Sequence, residues 1–215
     1  VTIKGNAKIC NNSAGYRGGA IYTEGTTNDS SLLNIEGGTI SGNHVNGSGA
    51  GIFALCSKGS KHNMDVNISG GTITNNYNET GENKEENAIV LMGWDPNLTK
   101  NTGFADLYLS DSPVITGSVT LADDYCATDR KNYSPLIYVG NSFNVNKPIL
   151  VSPIHGDDPD TPAVIYASEP IAVNYQSHFC SKEGSNWELV KKGATLNWVV
   201  KVNVRLRTFA DITDF

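Results

Sequence analysis

The chain of 215 residues has little positive charge, few aromatic side chains and no long apolar run. It carries 16 Lys and Arg against 22 Asp and Glu, a formal net charge of −6. It therefore lacks the basic surface that nucleic acid or an anionic membrane requires. No stretch approaches the roughly 18 apolar residues of a membrane span. We expect no nucleic-acid partner and no membrane insertion of this segment.

An initiating Met and a charged-then-apolar leader are also missing from the sequence. The chain opens on Val-Thr-Ile, which already has the pattern of a strand. We interpret it as a piece of a longer protein, and the domain count of that protein stays open.

Cysteine is scarce and widely spaced. The four cysteines, Cys10, Cys56, Cys126 and Cys180, form no pair with the short spacing of a structural zinc site. We interpret them as free thiols, with a bridge such as Cys126 to Cys180 as the alternative.

What the sequence does contain is an internal repeat. A first block reads VTIKGNAKICNN at 1–12, LNIEGGTISGN at 33–43, VNISGGTITNN at 66–76 and, more weakly, LYLSDSPVITG at 107–117. A second block reads GGAIY at 18–22, GAGIF at 49–53, NAIVL at 87–91 and PLIYV at 135–139. The blocks keep their pattern while the segments between them grow, which is typical of a solenoid.

The repeated blocks predict strands. They alternate apolar and polar residues, are rich in Ile, Val and Thr, and are interrupted by Gly-Gly. We predict an all-β fold, a right-handed parallel β-helix of about five coils stacked about 4.8 Å apart. Ile3, Ile35, Ile68 and Leu109 should then lie above one another in the core.

Glycine and asparagine mark the predicted corners of the coils. Gly37-Gly38 and Gly70-Gly71 can supply positive φ and close backbone approach. Asn12, Asn43 and Asn76 occupy one position in successive coils, where asparagine tolerates left-handed backbone and can form a hydrogen-bonded ladder. We assign these three residues a structural role.

The C-terminal third departs from the repeat. We divide the chain into β-helix repeats over 1–149, irregular final coils and a cap over 150–200, and a strand or linker to a following domain over 201–215. The segment Ser168-Glu169-Pro170 predicts the start of a short helix with Ile171, Tyr175 and Phe179 along one stripe. A hairpin around Lys191-Lys192-Gly193 should complete a cover for the last coil.

The motifs GGAI at 18–21 and IxxN ending at Asn12, Asn43 and Asn76 resemble the GGA[ILV] and FxxN repeats of polymorphic outer-membrane proteins. They also resemble repeats of large surface proteins from gut Firmicutes. The resemblance covers roughly 1–140, with Ile in place of Phe, and carries over no functional residue. It implies a secreted bacterial cell-surface protein, an adhesin whose partner is a host protein or glycoprotein, with immunoglobulin a candidate.

Catalysis is the first rival to such a binding role, because many parallel β-helix proteins are polysaccharide lyases or hydrolases. We find no acidic residues that recur on one face in adjacent coils, as a calcium site or an acid and base pair would require. Asp123-Asp124 and the run at 155–160 are interpreted as solvated turns, with a weak metal site as the alternative. We therefore expect no catalytic residue, no metal and no cofactor. A carbohydrate-active β-helix and a pure structural stalk remain the alternatives.

The segments between the blocks should stack on two flanks. One flank would carry Tyr16, Arg17, Tyr77, Tyr125, Arg130 and Tyr133, and the other Leu55, Trp94, Asp95 and Phe104. Tyr, Trp and Arg dominate the energetics of protein interfaces. The candidate binding residues are therefore Trp94, Asp95, Phe104, Tyr77, Tyr125 and Arg130. For Trp94 the alternative is a side chain folded onto a neighbouring coil.

Overall fold

The computed structural model describes residues 1–25, 31–56, 64–93, 104–123, 135–153 and 162–201. These residues form a nearly all-β parallel β-solenoid of about four turns with one short helix near the C-terminal end. The predicted fold is confirmed, although the predicted count of about five coils is slightly high. After Val139 the turns lose their regular form, because the last return path contains a helix and the sheet ends in an antiparallel hairpin.

Ten described strands make the first sheet. They are β1 (Thr2–Ile3), β2 (Lys8–Cys10), β5 (Ser31–Ser41), β8 (Met64–Thr74), β11 (Ala105–Leu109), β12 (Val114–Ile115), β14 (Ile137–Val139), β16 (Pro162–Tyr166), β18 (Trp187–Lys192) and β19 (Thr195–Val200). The main path runs β1-β5-β8-β11-β14-β16 with parallel pairing throughout.

Nine further described strands make the second sheet. They are β3 (Ser13–Ala14), β4 (Ile21–Gly25), β6 (His44–Val45), β7 (Ile52–Cys56), β9 (Tyr77–Thr80), β10 (Asn83–Gly93), β13 (Ser118–Asp123), β15 (Ile149–Pro153) and β17 (Phe179–Ser181). Strands β4, β7, β10, β13, β15 and β17 stack in parallel opposite the first sheet.

The buried columns follow the predicted register. Ile3 pairs with Ile35, Ile35 with Ile68, and Ile68 with Leu109. The column continues through Val139 and Tyr166, and all six side chains belong to one hydrophobic core. The alternation of apolar and polar residues places every second side chain inside.

The expected fourth copy of the second block, PLIYV, does not lie in the second sheet. Residues 135–139 lead into β14, which pairs with β11 in the first sheet. The second-sheet strand of that turn is β13, whose Val119 pairs with Ile89. PLIYV has the same apolar alternation as both blocks, so its local pattern does not distinguish a strand of the first sheet from one of the second.

Glycine is required where adjacent coils touch at the corners. Gly38 and Gly71 have φ of +84° and +82°. A Cβ on Gly38 would lie 2.7 Å from the Ala7 carbonyl oxygen, and one on Gly71 would lie 2.9 Å from Gly37. Both the left-handed backbone and the close approach therefore exclude a side chain there.

A ladder of asparagines runs along the next corner. Asn12 Nδ2 donates to Asn43 Oδ1 at 2.9 Å, and Asn43 Nδ2 donates to Asn76 Oδ1 at 2.8 Å. The left-handed residues are the ones that precede this ladder, namely Asn11, Gly42 and Asn75.

The last coil is closed by a helix and a hairpin. Helix α1 (Glu169–Tyr175) begins with Pro170 in its first turn, as predicted, and a 3₁₀ helix follows at Gln176–His178. The predicted stripe is shorter than expected, because Phe179 already belongs to β17. The hairpin β18–β19 turns at Gly193-Ala194 and pairs antiparallel with β16, so it covers the last strand of the first sheet.

Candidate functional site

The outward positions of the first sheet form a continuous row. Asn34, Asn67, Tyr108 and Tyr138 each precede a residue of the buried column, and their backbones are in register. We call these four residues the tyrosine–asparagine row. Because alternate side chains of a strand point to opposite faces, the row lies on the outer face.

The members of the row contact one another in pairs. The rings of Tyr108 and Tyr138 are stacked, with centroids 4.9 Å apart and planes within 11° of parallel. Asn67 Nδ2 donates to Asn34 Oδ1 at 3.0 Å. All four residues are half-buried. Neighbouring coils therefore hold each side chain in place while leaving part of it open to solvent.

A groove of about 580 Å³ runs beside the row. Its lining is mixed, with apolar, aromatic, amide and hydroxyl groups. The lining residues are Asn34, Glu36, Asn67, Ile68, Ser69, Tyr108, Leu109, Ser110, Tyr138, Val139, Gly140, Ile165, Tyr166 and Ala167. Concave sites that combine apolar walls with a few polar groups are typical of ligand binding.

The two tyrosines remain protonated over the whole physiological range. Burial raises the pKa of Tyr108 to about 12, with further contributions from the Asp65 and Asp106 carboxylates. Burial and the same two carboxylates also raise the pKa of Tyr138. Each hydroxyl can therefore both donate and accept a hydrogen bond at neutral pH.

Two carboxyl groups recur in register beside the row, contrary to the expectation from the sequence. Asp65 on β8 pairs with Asp106 on β11, so acidic residues do share one face in adjacent coils. Asp106 is only 5% exposed, and its Oδ1 accepts a hydrogen bond from the Leu136 N–H at 3.0 Å. Burial raises the pKa of Asp106 to about 6 and also raises that of Asp65. The enclosed Oδ1 of Asp65 has no hydrogen-bond partner among the described residues.

A second aromatic cluster lies on the outer face of the second sheet. The guanidinium of Arg17 lies over the rings of Tyr16 and Phe53, at 4.9 and 4.8 Å from their centroids. Tyr22 stacks on Phe53 at 5.9 Å, and its hydroxyl donates to Glu24 at 2.7 Å. Tyr16 is 69% exposed, so this cluster is also accessible.

Tyr77, one of the candidate binding residues, lies in a charged cluster. Its ring stacks on His44 at 6.2 Å, and the Lys84 ammonium lies 4.3 Å from its centroid. Glu79 contacts both Lys84 and His44, and their hydrogen bonds lower its pKa. The Tyr77 ring and the charged groups around it are therefore already engaged with one another.

On the second predicted flank the structure describes Leu55 and Phe104. Leu55, expected on this flank, is buried in a hydrophobic cluster with Phe53 and Val90 and so offers little surface to a partner. Phe104 is half-buried and packs its ring over Gly93. The remaining predicted flank residues lie outside the described residues, namely Trp94, Asp95, Tyr125, Arg130 and Tyr133. So do Asp124 and the acidic run at 155–160.

Cys180 is a free thiol among the described residues. The alternative of a bridge to Cys126 involves a residue that the structure does not describe. Cys56 is buried in the core. Burial raises the pKa of the Cys180 thiol, which lowers its reactivity.

Within the part of the chain that the structure describes, no three His, Cys, Asp or Glu side chains come together as a set of metal ligands. The same residues contain no helix with the length and apolarity needed to cross a bilayer.

The chain matches no protein-family model, no curated protein and no solved structure at a significant level. The parallel solenoid is therefore established by strand register, and the likeness to bacterial surface repeats rests on the motifs alone.

The sequence contained a usable indication of the row. When the first blocks are aligned on Ile35, Ile68 and Leu109, the preceding residues are Asn34, Asn67 and Tyr108. In the same alignment an aspartate precedes both buried Val66 and buried Leu107. These outward positions carry no apolar signal of their own, so only the register of the buried column reveals that they line up.

Proposed function

We propose that this chain is a non-catalytic adhesin module of a secreted bacterial surface protein. It binds a host glycoprotein, with immunoglobulin a candidate, on the outer face of the first sheet. The observation that carries the proposal is the stacked pair of Tyr108 and Tyr138 at the edge of an open groove. The bacterial and extracellular parts of the proposal come from the resemblance of the repeats.

The tyrosine pair supports binding for a physical reason. Tyrosine offers a large apolar ring together with a polar hydroxyl, and it loses little conformational entropy when it is fixed. Here the two rings are already held by each other and by hydrogen-bonded strands, so a partner would meet an ordered surface.

Capture from serum and from mucus would test the proposal. The immobilised 215-residue chain should retain a host glycoprotein, and the double variant Tyr108→Ala/Tyr138→Ala should retain at least about tenfold less. Tyr16→Ala is the matched control, because Tyr16 is an exposed tyrosine in the bend that follows β3 of the second sheet. Loss of capture in Tyr16→Ala with no loss in the double variant would transfer the site to the Arg17 cluster.

A second candidate, a carbohydrate-active β-helix, is favoured by one observation, the register pairing of Asp65 with Asp106. Glycoside hydrolases use a pair of carboxyl groups with shifted pKa values, one as general acid and the other as nucleophile or base. The burial of Asp106 weighs against it, because a general acid must reach the substrate. Release of reducing sugar or of unsaturated uronate by the wild type, abolished in Asp65→Asn, would establish the enzyme.

If neither capture nor sugar release is detected, the third alternative, a structural stalk, is favoured. A stalk needs only the stacked coils, so the outer row would then be replaceable without functional loss.

A further inference from the structure

We infer that the tyrosine–asparagine row binds the glycan of the partner, in the form of a neutral oligosaccharide lying along the solenoid axis. This inference rests on the proposed function and names the chemical class that the same surface recognises. Three independent properties of the surface support it: its hydrogen-bonding groups, its charge and its geometry.

The hydrogen-bonding groups of the row are neutral and bifunctional. An amide offers two N–H donors and a carbonyl acceptor, and the bond from Asn67 to Asn34 uses only one donor of Asn67. The phenols of Tyr108 and Tyr138 donate and accept as well. Sugar hydroxyls have the same dual character, and the apolar face of a sugar ring can pack against a tyrosine ring.

The charge of the surface selects against anionic ligands. Glu36 lines the groove, Asp65 and Asp106 lie beside the row, and none of the described lining residues is Lys, Arg or His. Sialylated, uronate-containing and sulfated sugars would be repelled, because none of these lining residues offers a cation to pair with them. A neutral glycan meets no such penalty.

The geometry of the row favours a linear polymer over a peptide strand. Its members recur once per coil, about 4.8 Å apart, in a straight line across the strands. The strands beneath it are interior to the sheet, and their backbone groups already pair with neighbours on both sides. A peptide cannot bind this face by adding a strand, which is the usual route for extended peptides on sheets.

The test uses glycans released from serum and mucin glycoproteins and divided by anion exchange into a neutral and an acidic pool. The immobilised 215-residue chain should retain members of the neutral pool and not the acidic pool. Tyr108→Ala should reduce retention at least about tenfold, because an aromatic contact is lost. Tyr108→Phe keeps the ring and should reduce it less.

Tyr22→Ala is the control, because Tyr22 is a half-exposed tyrosine stacked on another ring on the opposite sheet. If Tyr108→Ala does not fold, as judged by its thermal transition, Asn67→Ala replaces it and should reduce retention in the same way. Equal retention of both pools, or unchanged retention in both row variants, would overturn the inference.

A comparison with deglycosylated glycoprotein separates this inference from the function on which it rests. Capture of the intact glycoprotein that is lost on deglycosylation supports both. Capture that survives deglycosylation overturns the glycan inference and leaves the adhesin proposal standing. Failure to capture the intact glycoprotein overturns the adhesin proposal.

Discussion

Oδ1 of Asn76 accepts two hydrogen bonds from Asn43, one from its side-chain Nδ2 at 2.8 Å and one from its backbone N–H at 3.1 Å. Asn43 in turn accepts the same two bonds from Asn12. Asn43 and Asn76 are fully buried, so the ladder satisfies backbone groups that water cannot reach.

We expect Asn43→Ala to destabilise the protein by about 3 kcal/mol, because it leaves several buried polar groups without partners. Asn12→Ala should cost only about 1 kcal/mol, since Asn12 is exposed at the end of the ladder. Urea unfolding of the two variants measures the difference. Equal losses would mean that the internal bonds of the ladder contribute little.

Close packing between coils gives a second prediction, at Gly51. A Cβ at this position would lie 2.3 Å from the Ala88 carbonyl oxygen, which belongs to the backbone of the next coil. Gly51→Ala should therefore cost about 1–3 kcal/mol, the usual range for overpacking. Gly15→Ala is the control, since a Cβ there meets nothing within 4 Å. The two variants should differ clearly in midpoint temperature, and similar midpoints would show that the close approach of Gly51 to Ala88 matters little for stability.

The buried carboxyl of Asp106 should make stability depend on pH. Its pKa is raised from 3.8 to about 6, so the folded protein holds this proton more tightly than the unfolded chain. Stability should then fall as pH rises from about 4 to about 6, by an amount on the order of 2 kcal/mol. Asp106→Asn removes the penalty and should stabilise the protein at pH 7 but not at pH 4.

Asp111→Asn serves as the control for that experiment, because Asp111 is exposed and its positive φ suits asparagine equally well. Its stability should follow the wild type at both pH values. A stability difference between Asp106→Asn and wild type that is the same at pH 4 and pH 7 would show that titration of Asp106 is not the cause.

Titration of His178 should make the protein less stable as the pH falls, the opposite of the effect expected from Asp106. Its ring stacks on Tyr175 at 5.1 Å and meets Phe143 edge-on at 5.8 Å, and its Nδ1 has no hydrogen-bond partner among the described residues. Burial lowers its pKa, so the folded state favours the neutral ring. The neutral His178 ring therefore contributes its full stabilisation when the pH is above 6.5, the ordinary pKa of histidine, and this contribution is lost as the pH falls below 6.5.

His178→Phe keeps an aromatic ring and removes the titration. Between pH 7.5 and pH 5.5, the free energy of unfolding measured with urea should fall more for the wild type than for the variant. Identical losses in the two proteins would show that protonation of His178 does not oppose folding.

Strand register could be predicted from the sequence because the same strand positions are buried in every coil and therefore carry apolar residues each time. A column such as Ile35 and Ile68 is marked by apolar alternation, and the corner after it by Gly37-Gly38 or Gly70-Gly71. The first three coils obey these two constraints, so the sequence repeat alone places their strands.

The features that could not be predicted depend on contacts between coils, which no local sequence pattern encodes. Residues 135–139 fit both block types, and only pairing with β11 decides between them. The burial of Asp106 and its bond to Leu136 likewise follow from the next coil. The burial of Leu55 likewise depends on Val90, which lies in the next coil and is distant in sequence.

The reversal of chain direction at β19 ends the outer row on one side of the described sheet. Beyond Tyr138 the register continues to Ile165 on β16, and the next strand presents Thr195, whose hydroxyl is engaged by Lys192 and Asn197. Within the described residues the row therefore ends at β16, because the strand that pairs next to it runs antiparallel. On this part of the solenoid a polymeric ligand would meet a limited number of subsites, and affinity should stop rising once the oligomer spans them.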